Sequence, residues 1–243
     1  MKVTDSELGP VEFRAAIREL VAVYAAAMNA PERMLGGREA IMDRHAANPG
    51  FRCLTATAGG VTAGFTYGFH GESGQWWHDM VAGALAAHPG TGRSDQSAGW
   101  DHSAGGAGAG GGAWLDDSFE IAELHVLPPY QGIGIGRSLL LSLTSGRRER
   151  TAVLSTADAP TRARRLYRGV GFTDLLTGFR FSGSEPPYAV MGAKLPLCDT
   201  SAGDQAGLDA GEAEVRPTRR RAPGRAGPPG RAARRSPWSR VSR

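Results

Sequence analysis

The chain has 243 residues, a formal net charge of +4 and two cysteines, Cys53 and Cys198. Two cysteines are too few for a disulfide scaffold, which favours a reducing compartment, and we expect a cytoplasmic protein. The N-terminus has no apolar signal core and no stretch approaches the length of a membrane span. The six histidines are scattered and no Cys/His pair has ligand spacing, so no metal site is predicted.

The charge is unevenly distributed along the chain. Residues 1–198 contain 18 basic and 19 acidic side chains, whereas residues 199–243 contain 10 and 5. From Arg216 onwards there are ten arginines among repeated Pro, Gly and Ala, with no acidic residue. Such a composition cannot bury a core, so we expect one folded domain over 1–197 and a disordered tail over 198–243. Because the folded part is nearly neutral, contact with nucleic acid is expected only through the tail.

The first third of the chain predicts two helices and a hairpin. Apolar residues at helical spacing predict an amphipathic helix over Val11–Asn29, and a shorter helix follows over Gly37–Ala47. Two β-like runs, Phe51–Ala58 and Val61–Phe69, flank Gly59-Gly60, a strong signal for a two-residue hairpin turn.

A long segment, about residues 71–117, separates this hairpin from the next strand. Trp77 and the apolar residues after it have helical spacing, and Ser103–Ala113 is almost entirely Gly, Ala and Ser, which predicts a helix followed by a flexible loop. Two interpretations of Trp76, Trp77 and His78 stay open: an aromatic wall over a substrate, or packing with a solvated histidine. Packing is favoured for Trp77, and Trp76 is left open.

The second half alternates strands and helices, a mixed α/β order. The predicted elements are a strand at Phe119–Val126, a helix at Gly136–Ser145, a strand at Ala152–Thr156, a helix at Pro160–Val170, and strands at Phe172–Phe181 and Ala189–Leu195.

The glycine-rich run Gln131–Arg137 is the most informative motif. It lies between a predicted strand and a predicted helix, where backbone N–H groups and the helix dipole can hold a pyrophosphate. The spacing Q-x-x-G-x-G is neither the dinucleotide fingerprint nor the P-loop pattern. A different diphosphate-bearing ligand is therefore expected.

A second motif, Ala163–Phe172, follows about thirty residues later and reads A-x-x-L-Y-x-x-x-G-F. The pair resembles the GNAT superfamily of acyl-CoA-dependent N-acetyltransferases, in which [RQ]-x-x-G-x-[GA] precedes this second signature. The resemblance implies an α/β GNAT (acyl-CoA N-acyltransferase) fold: a mixed, mostly antiparallel sheet with splayed central strands, flanked by helices. Residues 71–117 would then be an insertion between the third and fourth strands.

The resemblance also implies acetyl-CoA as the donor and assigns residues to it. The pantetheine would lie along the central strand, the Gln131 amide would donate to phosphate, and Arg137 would supply positive charge. The implied cofactor-binding residues are Leu124, Val126, Leu127, Gln131, Gly132, Ile133, Gly134, Ile135, Gly136 and Arg137.

Three residues are candidates for catalysis. The resemblance implies that Tyr167 protonates the departing thiolate, with a buried core tyrosine as the alternative. Glu120 matches the base of histone-type members, and Glu123 matches an acidic position that is often structural. Their spacing predicts opposite faces of one strand. A family Asn before the second motif is missing, and Asp158 is its candidate substitute.

The resulting hypothesis is a transferase that moves an acetyl group from acetyl-CoA to a primary amine by direct, ternary-complex transfer. Two alternatives stay open: a non-catalytic acyl-CoA sensor, and a transferase for larger acyl groups. The acceptor, a small molecule or a peptide amine, is not identified by the sequence. A homodimer is also open.

Overall fold

The computed structural model describes residues 2–32, 35–87, 111–181 and 186–198. The predicted tail beyond Cys198 and residues 103–110 of the predicted glycine loop lie outside the described residues. Seven strands and five helices occur in the described ranges. In chain order they are β1 (Val3–Leu8), α1 (Pro10–Met28), α2 (Arg38–His45), β2 (Arg52–Ala58), β3 (Val61–Gly71), α3 (Trp76–Ala87), β4 (Ser118–Val126), α4 (Ile135–Thr144), β5 (Thr151–Ala157), α5 (Arg162–Arg168), β6 (Thr173–Phe179) and β7 (Tyr188–Lys194).

The strands form one sheet in the order β1-β2-β3-β4-β5-β7-β6. Only the β4–β5 pair is parallel among the described strands, which confirms the mixed, mostly antiparallel sheet. The β2–β3 hairpin turns at Gly59 and Gly60, whose φ angles of 61° and 80° lie in the left-handed region that favours glycine. The sequence patterns predicted the other strands and helices to within a few residues but missed β1. This edge strand, VTDSEL, is mostly polar and exposed, so it shows no apolar alternation.

The helices cover both faces of the sheet. On one face, α4 and α5 pack on Phe119 and Ile121 of β4, and we call it the α4–α5 face. On the other, α1 packs on Phe65 and Tyr67 of β3, and α3 packs on Val153 of β5. We call this second face the α1–α3 face.

The inserted helix α3 extends the covering of the α1–α3 face over the second half of the sheet. Its Val81 and Leu85 are buried against Val153 and Val190. Burial of this stripe explains the helical apolar spacing seen in the sequence. None of the helices within the described ranges is long and apolar enough to cross a membrane.

Candidate functional site

A gap between β4 and β5 is the central feature of the site. The two strands pair only over Ser118–Glu120 and Thr151–Val153, and beyond these residues no β4–β5 pair is formed. β4 continues along β3 to Val126, while β5 continues along β7 to Ala157. The predicted splay is therefore confirmed, and it leaves one edge of β4 unpaired over its second half.

The glycine-rich loop lies where β4 leads into α4. Gly132 and Gly134 have φ angles of 81° and 95°, conformations that side chains rarely adopt. Gly134 is the N-cap of α4 and no side chain caps this helix end. The first N–H groups of α4 therefore keep their capacity to bind an anion, in agreement with the predicted pyrophosphate role of this turn.

Two polar side chains predicted to meet phosphate make other contacts here. The Gln131 Nε2 donates to the Val126 carbonyl at 2.9 Å. Arg137 Nη2 donates to the Gly169 carbonyl at 3.5 Å, which joins α4 to the end of α5. The Gln131 amide nitrogen keeps a second N–H, whereas Arg137 is tied to the end of α5. Backbone N–H groups are thus the better placed donors.

The three predicted pantetheine residues divide between the faces. Leu124 and Val126 pack on the α4–α5 face, beside the loop and α4. Leu127 packs against the core of the α1–α3 face, and its N–H donates to the Ala63 carbonyl at 2.8 Å. Only Leu124 and Val126 therefore share the face of the glycine-rich loop.

Glu120 is a buried carboxyl without a counter-charge. It lies opposite Phe69, is 5% exposed, and its Oε2 has no hydrogen-bond partner. Burial raises its pKa from 4.5 to about 8. A group that exchanges its proton in this range is suited to accept a proton from an amine.

Glu123 has the opposite environment. Its Oε1 accepts from Arg38 Nη1 at 2.6 Å and its Oε2 accepts from His125 Nε2 at 2.5 Å. Burial acts to raise its pKa, but the His125 hydrogen bond and the Arg38 charge outweigh it and hold the pKa below its usual value. Glu123 is thus a committed anion that orients its neighbours.

The prediction that Glu120 and Glu123 lie on opposite faces is wrong. Glu120 pairs with Phe69 and Glu123 pairs with Tyr67, and both partners belong to the core of the α1–α3 face. A register shift places Ala122 as an extra residue in β4, a β-bulge that reverses the alternation. Both carboxylates therefore face α1–α3.

The neighbours of Glu123 come from elements that carried no motif. Arg38 begins α2, and its Nη2 donates to the Tyr24 hydroxyl of α1 at 2.8 Å. The ring of Tyr24 packs edge-on against His125, with centroids 4.9 Å apart. Nothing in the sequence marked Arg38 or Tyr24, because their partnership with Glu123 spans α1, α2 and β4.

Tyr167 lies on the opposite face of the sheet from Glu120 and Glu123. It is 7% exposed within the core of the α4–α5 face. Burial raises its pKa, and the charge of Glu123 raises it further. The phenol is therefore a protonated donor near the gap at neutral pH.

Asp158 does not replace the missing family Asn. It pairs with Arg164 and accepts from the Gly178 N–H at 2.7 Å. Arg164 also donates to Asp174 at 2.8 Å. These bonds fasten α5 to β6, so Asp158 is committed to structure.

The two tryptophans of the insertion differ. Trp77 Nε1 donates to Ser155 Oγ of β5 at 3.2 Å, and its ring packs on the buried residues between α3 and the sheet, as the packing interpretation predicted. Trp76 is 63% exposed and contacts Phe181 with ring centroids 5.4 Å apart. His78 is not solvated, because its side chain is 12% exposed and pairs with Asp79 at 3.4 Å.

The described residues hold no group of three or more His, Cys, Asp or Glu side chains that could bind a metal ion. What the geometry brings together is a glycine-rich turn at an uncapped helix end, a split in the sheet and two buried acidic side chains. This combination is typical of an acyltransferase fold.

Comparison with known proteins agrees with this class. Residues 99–174 match the family model described as "Acetyltransferase (GNAT) domain". The chain is 36% identical over 137 residues to a protein of Mycobacterium tuberculosis H37Rv named "GCN5-like protein acetyltransferase". That match covers 55% of this chain and 59% of the relative, so the chain spans about three fifths of the relative's length.

Solved structures share the fold at low identity. An acetyltransferase of the GNAT family from Staphylococcus aureus Mu50 has a TM-score of 0.50 and 13% identity, covering 80% of this chain and 99% of that one. The ribosomal-protein-S18-alanine N-acetyltransferase of Escherichia coli has a TM-score of 0.50 and 14% identity, covering 79% and 94%. Together the matches confirm the resemblance to the GNAT superfamily, with the family model covering residues 99–174.

Proposed function

We propose that the protein transfers an acetyl group from acetyl-CoA to a primary amine by direct reaction in a ternary complex. One observation supports this proposal: the β4–β5 gap lies between the glycine-rich turn with its uncapped helix end on the α4–α5 face and two buried carboxyls on the α1–α3 face. Donor and acceptor can then approach from opposite faces and meet at the gap. The domain over 1–197 is the unit to which we assign this activity.

The donor would be held by backbone groups on the α4–α5 face. The Gly132–Gly136 turn and the first turn of α4 would bind the pyrophosphate, with Ile133 and Ile135 placing these N–H groups. The unpaired edge of β4 near Leu124 and Val126 would bind the pantetheine as an added strand does. This arrangement would direct the thioester into the gap.

The acceptor amine would react from the α1–α3 face. Its nitrogen attacks the thioester carbonyl carbon, and the ionised Glu120 takes the proton that the nitrogen loses. The C–S bond then breaks, the electron pair stays on sulfur, and the Tyr167 hydroxyl gives this thiolate a proton. The products are an amide and free coenzyme A. Glu123 would not take protons, because its pKa is held low, but would orient Arg38 and His125.

The proposal also covers the binding partners and the cellular location of the protein. The acceptor is a small-molecule or peptide amine, and contact with nucleic acid would involve the basic tail alone. Cys53 and Cys198 are both free thiols, which supports our proposal of a cytoplasmic location. Whether two copies associate is a matter for sedimentation analysis.

The first test is calorimetric titration with acetyl-CoA. Gly134→Val should weaken binding at least tenfold, because a φ of 95° strains any side chain and shifts the first turn of α4. Gly146→Val is the matched control: its φ is 72°, it has equally open surroundings, and it lies beyond the other end of α4. Equal weakening by both variants would argue against the pyrophosphate turn.

Release of free thiol in an amine screen then separates the alternatives. Acetyl-CoA binding together with amine-dependent thiol release supports the transferase. Binding without release for any amine would instead indicate a sensor, and preference for a longer acyl donor would indicate a larger acyl group. Absence of acetyl-CoA binding by folded wild-type protein would overturn all three.

A further inference from the structure

An aromatic shelf lies across the gap from Arg38 and Glu123. The ring of Trp76 in α3 contacts Phe181 in a tilted arrangement, with centroids 5.4 Å apart. Phe181 packs edge-on against Phe179 at 4.8 Å and Tyr188 at 5.3 Å. We define these four residues as the aromatic shelf. They join the inserted helix to the ends of β6 and β7.

The register of the sheet places the shelf beside the gap. Tyr188 pairs with Ala157, at the end of β5 that has separated from β4. Counting along the parallel strands from the Glu120–Val153 pair, and allowing for the extra residue Ala122 in β4, Ala157 is level with His125. Tyr188 and Val190 are two residues apart in β7, so their side chains lie on the same face of the sheet. Val190 is part of the core under α3, and the shelf is therefore on the α1–α3 face. This is the face that carries Glu120 and Glu123.

The aromatic shelf and the residues around Glu123 are close enough to interact electrostatically. Burial raises the pKa of Tyr24, and among the smaller influences are the charges of Arg38, Glu123 and Tyr188. Tyr24 contacts Arg38 directly, so Tyr188 lies within electrostatic range of the network around Glu123.

We propose that the shelf binds an aromatic or large apolar group carried next to the reacting amine. The inference rests on the proposed function and names the acceptor class: amines such as those of bulky apolar amino acid derivatives. Trp76 supplies a ring that is 63% exposed beside the site. An exposed ring that contacts buried rings offers apolar surface to a ligand, and the protein does not have to rearrange to present it.

The charged groups near the shelf favour an apolar ligand group there over a cationic one. Asp79 of α3 is engaged, since it accepts from the Gly74 N–H and pairs with His78. Asp158 is held by Arg164 and Gly178. These described carboxylates thus have other partners.

Paired acceptors test the proposal. Acetyl transfer to phenylalaninamide and alaninamide is compared as the ratio of kcat/KM, measured by thiol release. Wild type should favour phenylalaninamide at least tenfold, and Trp76→Ala should reduce this ratio about tenfold, the effect of losing one apolar contact. Trp76→Phe should retain most of the ratio. Val11→Ala, which removes another exposed apolar side chain (75% exposed) at the start of α1, should leave it unchanged.

A binding measurement separates this inference from the proposed function. The two amides are titrated calorimetrically into protein saturated with coenzyme A, where no transfer occurs. Tighter binding of phenylalaninamide that is lost in Trp76→Ala supports the shelf even if no transfer is ever observed. Equal binding of both amides overturns the shelf, whether or not acetyl-CoA is used. A wild-type dimer that dissociates in Trp76→Ala also overturns it, because a second copy would then cover the ring.

Discussion

Arg38 and Glu123, 85 residues apart in the chain, form an ion pair of 2.6 Å between the start of α2 and the middle of β4. Arg38 also covers the Tyr24 ring, with 4.1 Å from its guanidinium carbon to the centroid. One guanidinium thus links both N-terminal helices to the central strand. Together with the His125 hydrogen bond, the pair holds the pKa of Glu123 below its usual value, whereas Glu120 has no such partner.

Replacing Arg38 by Met should destabilise the protein by about 1–3 kcal/mol. Glu123 would lose its counter-charge in a buried setting, and Arg38 is one-quarter exposed, so the loss is smaller than for a fully buried pair. Urea unfolding measures the change. Arg14→Met removes the exposed pair with Asp43 and should cost less than about 1 kcal/mol. Similar losses in both variants would show that the Arg38 pair has no special role.

Ionisation of Glu120 should appear in the pH profile of activity. With an acceptor amine of low pKa, kcat/KM should rise about tenfold per pH unit up to about pH 8 and then level off, because Glu120 must lose its proton to act as a base. Glu120→Gln should lower kcat/KM by about 10²–10⁴-fold and abolish this limb. A limb that survives in Glu120→Gln would assign the base to another group.

The same group makes stability depend on pH. Its pKa is about 8 in the folded protein and near 4.5 when unfolded, so between these values the folded state holds the extra proton. The free energy of unfolding should therefore fall as pH rises from about 4.5 to 8, with a slope of up to about 1.4 kcal/mol per pH unit from this group. Urea unfolding across this range should show a flatter dependence for Glu120→Gln. An identical slope in both proteins would refute the raised pKa.

Tyr167→Phe should lower kcat by about 10²-fold and leave acetyl-CoA affinity nearly unchanged. The phenol would act on the departing thiolate, which exists only during the reaction, whereas the ring itself stays packed on Phe172. Steady-state kinetics and calorimetry measure the two quantities. A large loss of affinity with little change in kcat would assign Tyr167 to the core or to donor binding instead.

Arg52 should be important for holding α4. Its Nη1 donates to the carbonyls of Ser142, Leu143 and Ser145 at 2.9–3.1 Å, and its Nη2 pairs with Glu7 of β1. A cation at the C-terminal end of a helix satisfies carbonyls and complements the dipole. Arg52→Ala should cost about 2 kcal/mol of stability. Arg52→Lys should recover less than half of this loss, since an ammonium cannot present the same planar fork.

A thermal melt of these two variants checks the Arg52 prediction. Full recovery by lysine would mean that charge alone stabilises the helix end. No loss in either variant would mean that β1 and α4 are held by their apolar contacts.

Local patterns were sufficient for most of the fold and for the conformation of the glycine-rich loop. Gly59-Gly60 specified a hairpin because only a left-handed conformation makes that turn, and Gly132 and Gly134 act by the same steric rule. The helical spacing of Val81 and Leu85 likewise revealed α3. Such features depend on neighbours within a few residues, so the chain itself displays them. β1 was not predicted because this exposed, polar edge strand shows no apolar alternation and is recognisable as a strand only by its pairing with β2.

The division of labour at the site was decided by tertiary structure. Spacing placed Glu120 and Glu123 on opposite faces, but the bulge at Ala122, which depends on the pairing of β4 with β3, put both on one face. Partners from α1 and α2 then left one carboxyl ionised and the other unpaired. The shelf between Trp76 and Tyr188 likewise joins residues more than a hundred positions apart. Sequence alone determined which chemical groups are present, because motifs are local. Their surroundings and electrostatic state follow from long-range packing, which local spacing does not encode.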